Sequence, residues 1–111
     1  MRFSEYQLKA AQTAIYPGQG TAEGLVYCLL GLGNESGEVQ GKYKKVIRDN
    51  NGKLSPEKIN LIAEECGDVL WYLAMICNEL NLPFEKIASD NLYKLASRKE
   101  HGTIQGSGDN R

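Results

Sequence analysis

Apolar residues recur at three- and four-residue spacing in four successive stretches of the chain, and no stretch alternates with period two, so the fold class expected is all-α. The first helix is expected over residues 3–15, with Ser4 as its N-cap and Leu8, Ala11 and Ile15 as a narrow apolar stripe. Tyr16-Pro17-Gly18-Gln19-Gly20 stops it. Thr21 then caps a second helix running from about 22 to about 48, apolar over Leu25–Leu30 and basic over Lys42–Arg48. Gly33, Gly37 and Gly41 recur every fourth residue there, a ridge that would let another helix or a ligand approach closely; a break near Gly31-Leu32-Gly33 is the alternative. Ser55-Pro56-Glu57 opens a third helix, with Ser at the N-cap and Pro at the first helical position, and Asn81-Leu82-Pro83 ends it. This helix is apolar nearly all the way round from Leu61 to Cys77, which predicts a central, largely buried element. A fourth helix is expected from about 84 to about 99, with Phe84, Ala88, Leu92 and Leu95 facing the core. Residues 1–100 thus form one domain, and 101–111 are a Gly-rich polar tail, flexible by composition.

Polar residues interrupt this pattern where chemistry is most expected. Glu35-x-x-Glu38 lies in the second helix and Glu65-x-x-Asp68 in the third. Spacing of i, i+3 sets each pair on one helix face, about 60° apart. Long helices joined by a short turn pack antiparallel, so the pairs can face one another across one groove. A single E-x-x-E is usually a solvated face, and Glu38 with Lys42 also forms a favourable i, i+4 ion pair. Glu65 and Asp68 are different, because an ionised carboxylate on an apolar helix needs a cation. Oxygen-only ligands favour Mg²⁺, with Mn²⁺ or Ca²⁺ behind it. Donors fall in register with the acids: Lys42 and Lys45 follow Glu38, Tyr72 follows Asp68 by one turn, and Asn91, Lys94 and Arg98 share a face of the fourth helix. Acids, a metal and flanking donors describe a polyphosphate site.

Composition narrows the remaining classes. The 111 residues suffice for one core, and 41% hydrophobic with 24% charged residues is ordinary for a globular protein. Net charge is −1 with the basic residues dispersed, which argues against nucleic-acid binding. The longest apolar run, Val69–Cys77, is too short to cross a bilayer, and no signal segment begins the chain, so a cytoplasmic location is expected. Cys28, Cys66 and Cys77 are expected to be buried free thiols, and a lone histidine, His101, leaves a zinc site unsupported.

Taken together, Gly33-Asn34-Glu35-Ser36-Gly37-Glu38-Val39, Glu64-Glu65-Cys66-Gly67-Asp68-Val69-Leu70-Trp71-Tyr72-Leu73 and Asn91-Leu92-Tyr93-Lys94-Leu95-Ala96-Ser97-Arg98 resemble the MazG-like nucleoside triphosphate pyrophosphohydrolases, over roughly residues 5–100. His101-Gly102-Thr103-Ile104 and the tail beyond it resemble short stand-alone members, phage-borne ones included, which places the protein in a bacterial or phage-infected host cytosol. The resemblance implies a MazG-like bundle of four main helices assembled as a homodimer or homotetramer, with sites at subunit interfaces. It implies Mg²⁺-dependent cleavage of an NTP or dNTP, purine substrates such as dGTP or GTP included, between the α and β phosphates to (d)NMP and pyrophosphate. Glu35, Glu38, Glu65 and Asp68 would be metal ligands, and Glu35 or Glu64 the general base. Lys45, Tyr72, Asn91, Lys94 and Arg98 would hold the phosphates. Tyr6, Gln7, Tyr16 and Asn34 are candidates for a base pocket. Alternatives within and beyond the resemblance are a phosphoribosyl-ATP or pyrimidine-dNTP pyrophosphohydrolase, and a non-catalytic metal- or nucleotide-binding module.

Overall fold

The computed structural model describes residues 1–110 and contains four α-helices and, among the described residues, no strand: α1 (Phe3–Ala11), α2 (Ala22–Asn50), α3 (Pro56–Glu79) and α4 (Phe84–Glu100). At 1.5 Å per residue α2 runs about 43 Å, and it sets the long dimension of a molecule measuring 44 × 43 × 27 Å. α2 and α3 form the antiparallel pair expected of long helices joined by a short turn, α1 packs on α3, and α4 packs principally on α1. The second helix is continuous, so its glycines do not break it. No helix among the described residues is long and apolar enough to cross a membrane.

Local sequence accounts for most of the boundaries. Ser55 accepts a hydrogen bond from the Lys58 N–H with Pro56 at the first helical position, as expected. Asn51 takes the left-handed conformation that closes α2. Other expectations need correction. α1 stops at Ala11 rather than Ile15, and its N-cap is Arg2, not Ser4; the Thr13 hydroxyl donates to the Ala10 carbonyl and turns the chain out of the helix. Thr21 is the N-cap of α2, but its hydroxyl donates back to Gly18 instead of accepting from the helix.

The core is small. Ala10, Cys28, Ala74, Met75, Cys77 and Phe84 are buried together, with Tyr16, Trp71 and Tyr72 packed around them. Gln7 ties the far end: its amide donates to Asn78 Oδ1 (2.9 Å) and to the Leu82 carbonyl (2.8 Å), and its oxygen accepts from the Phe84 N–H (2.8 Å). α3 is central, yet it is not largely buried as its sequence suggests. Cys66 and Asp68 are exposed and Glu65 is half-buried, because only α2 covers this half of the helix. The α4 stripe is likewise buried only at Phe84, with Leu92 68% exposed. A radius of gyration of 16.9 Å, against about 13 Å for a compact chain of this length, reflects the same openness.

Glycines with a steric reason are not those of the four-residue ridge. A Cβ at Gly33, Gly37 or Gly41 would meet nothing within 4 Å. At Gly31 it would lie 2.6 Å from Tyr72 Cδ1 and closer still to the ring's outer edge. The tail folds back on the end of α4: the Thr103 N–H donates to the Arg98 carbonyl (2.7 Å), and Arg98 donates to the Asp109 carbonyl (2.8 Å).

Candidate active site

α2 and α3 bring the two acid motifs together. Carboxylate oxygens of Glu35, Glu65 and Asp68 all lie within 4.8 Å of one another, with Glu35 and Glu65 half-buried and Asp68 exposed. Glu35 comes from α2 and the other two from α3, one turn apart. Like charges this close repel, and the repulsion is visible on Glu35: burial first, then the charges of Asp68, Glu65 and Glu38, push its carboxyl above the usual value. A divalent cation would relieve that cost, so the donor set fits a hard metal ion.

Glu38 is exposed and lies outside this trio, although its charge still acts on Glu35. Lys42 reaches across the groove to Glu65, 3.7 Å away, rather than pairing along its own helix with Glu38, and so supplies one positive charge to the cluster. Glu64 and Lys45 are exposed on α3 and α2. A cleft of about 360 Å³ opens beside the acids, lined by Thr13, Glu35, Asp68, Trp71 and Tyr72. Tyr72 therefore stands at the site, and Gly31 is what admits its ring so close to α2. Burial and the neighbouring Tyr27 raise its phenol above the ordinary value. Trp71 packs edge-on against Tyr72 (5.0 Å, 85°) and donates to Thr13 Oγ1 (2.9 Å).

The α4 residues do not join the acids within one chain. Asn91 and Lys94 are exposed on a helix that packs on α1. Arg98 is only 7% exposed, because the tail folds over it. Sequence reasoning missed Thr13 and Trp71 as cleft residues. Trp71 carried a signal, lying three residues after Asp68 on the same helix face; Thr13 carried none, since it enters only by the turn after α1.

A second and larger cleft, about 550 Å³, lies between α1 and the C-terminal half of α3. Of the residues considered for a base pocket, Gln7 and Tyr16 line it, with Asn78 and Glu79 opposite. Glu79 accepts from the Tyr16 hydroxyl (2.5 Å) and from the Gly20 N–H (3.1 and 3.0 Å). Burial and this carboxylate hold the Tyr16 phenol far above its ordinary range.

The chain is 46% identical, over 114 aligned positions spanning all of both proteins, to the "Gene 37 protein" of Mycobacterium phage L5. No solved structure matches it. Residues 25–103, which hold both acid motifs and all of α4, match the MazG nucleotide pyrophosphohydrolase domain, and the chain belongs to that family.

Proposed function

We propose that the protein hydrolyses a nucleoside or deoxynucleoside triphosphate between the α and β phosphates, releasing (d)NMP and pyrophosphate, with Mg²⁺ as the metal and Mn²⁺ able to substitute. The observation that carries this is the convergence of Glu35, Glu65 and Asp68 from two helices onto one point at the mouth of a cleft. Bound there, with Glu38 close by, the metal would neutralise phosphate charge and polarise the oxygens around the reacting phosphorus. Glu35 lines the cleft beside the other acids and suits the general base that takes a proton from the attacking water; Glu64, one turn from Asp68, is the alternative. Tyr72 lines the cleft and can donate its hydroxyl to a phosphate oxygen.

Lys45, Asn91, Lys94 and Arg98 are the remaining phosphate ligands in this reading. For the α4 residues to act they must come from a neighbouring copy, in a homodimer or homotetramer. The exposed Val26, Leu29, Leu30 and Ile47 on α2 and Ile59 and Leu73 on α3 support such an assembly, since a lone chain gains nothing by presenting them to water. A non-catalytic binding module is the second reading, favoured by one feature: Lys42 already supplies a positive charge to Glu65.

Single substitutions separate the two. In a hydrolase, Glu35→Gln and Asp68→Asn each lower pyrophosphate release by about 10²-fold or more with the helical circular dichroism unchanged. Equal rates in wild type and both variants would exclude this site.

A further inference from the structure

The acid cluster and the larger cleft lie on one face of α3. Asp68, Trp71, Met75, Asn78 and Glu79 recur at three- and four-residue spacing and form a continuous floor, which passes from one cleft into the other. The Trp71–Thr13 hydrogen bond belongs to the cleft beside the acids. From Asp68 to Met75 the floor rises about 10 Å, comparable to the separation of the phosphates from the base in an extended nucleotide. Leu8, Tyr16 and Met75 give the far cleft apolar walls, and an open apolar cavity holding a few fixed polar groups is the usual form of a small-molecule site.

We infer that this far cleft takes the nucleobase of the substrate, and that Asn78 and Glu79 select a base with a keto oxygen beside a ring N–H (guanine, uracil or thymine) over adenine and cytosine. The inference rests on the triphosphate reading of the acid site. Asn78 Oδ1 accepts from Gln7, which fixes the orientation of the amide. Its Nδ2 has only the Met75 sulfur at 3.7 Å, a weak acceptor, so a strong donor remains available to the cleft. Glu79 is held by Tyr16 and Gly20 and retains lone pairs, because a carboxylate has about four acceptor sites. Donor and acceptor thus both line the cleft, each oriented by its own partners. A keto-imino edge offers the amide a carbonyl oxygen and the carboxylate an N–H. Adenine and cytosine carry an amino group where the oxygen would be, which sets donor against donor.

The test is calorimetric titration of the full-length protein in Mg²⁺ with GMP, UMP, AMP, CMP and inorganic tripolyphosphate, and it needs no turnover. GMP and UMP should bind at least about tenfold more tightly than AMP and CMP, the effect of one hydrogen bond gained or lost. Asn78→Asp should abolish or invert that ratio, since the new carboxylate still accepts from Gln7 but no longer donates. Leu8→Trp, at a mostly exposed position that fills the cleft, should weaken all four nucleotides and leave tripolyphosphate unchanged. No base preference in the wild type, preference for AMP or CMP, or nucleotide affinities untouched by Leu8→Trp would each overturn the inference. Tripolyphosphate binding without binding of any monophosphate would do so too. Keto selectivity in a protein that releases no pyrophosphate would leave the base site standing and remove the hydrolase reading instead.

Discussion

Replacing Gly31 by alanine tests how α2, α3 and the cleft depend on one another. Alanine is the better helix former, worth about 0.8–1.0 kcal/mol in a helix interior, so propensity alone predicts a stabilised protein. The structure predicts the reverse. The new Cβ would stand 2.6 Å from Tyr72 Cδ1 and closer still to the neighbouring ring carbons. Carbon atoms need about 3.5 Å, so the ring must retreat by about 1 Å. Trp71 packs edge-on against Tyr72 and is itself held by Thr13, which leaves little room for that retreat. Overpacking of this kind costs about 1–3 kcal/mol, and subtracting the propensity gain leaves a net loss of up to about 2 kcal/mol. Urea denaturation reads this directly, as a lower midpoint at unchanged slope. Tyr72→Leu in the Gly31→Ala background should recover part of the loss, since the two changes share one contact. A Gly31→Ala variant as stable as the wild type, or more so, would refute the packing argument.

Two further predictions concern charge. Glu35 has a raised folded-state pKa, so its contribution to metal-free stability is complete below the ordinary value of 4.5 and is lost as pH rises through the raised one. Metal-free wild type should therefore lose melting temperature relative to Glu35→Gln across that window, while stabilisation by Mg²⁺ grows over the same interval as the ligands ionise; parallel melting curves for the two proteins would contradict the assignment. Arg98→Ala removes the side chain that holds the tail, at a cost of about 1 kcal/mol. Faster amide exchange over residues 103–110, with α1–α3 unaffected, is the expected result, and unchanged exchange would show that the tail does not depend on Arg98.

Local chemistry made most of the architecture legible. Pro56 behind Ser55, Asn51-Gly52 after α2 and Pro83 before α4 each act through their own backbone geometry, and the helices begin and end beside them. Three of the four acids read as one cluster come together for a related reason, since i, i+3 spacing on two antiparallel helices leaves few other arrangements, while Glu38 falls outside the group. What sequence could not supply was depth of burial. An apolar helix face reads the same whether its covering surface comes from its own chain or from another, so Cys66 on α3 and Leu92 on α4 read as interior positions and lie exposed. The Gly31 contact was equally illegible, because the residue it admits, Tyr72, lies on a different helix. Glu79 was hidden by long-range pairing, its partners Tyr16 and Gly20 being about sixty positions away.

The most direct test of the account is Mg²⁺-dependent pyrophosphate release from a panel of eight NTPs and dNTPs, with the nucleotide product identified by chromatography. The account predicts NMP and pyrophosphate in equal amounts from a subset of the panel, and none when the metal is chelated. Orthophosphate with NDP, or no turnover of any nucleotide with Mg²⁺ present, would contradict it.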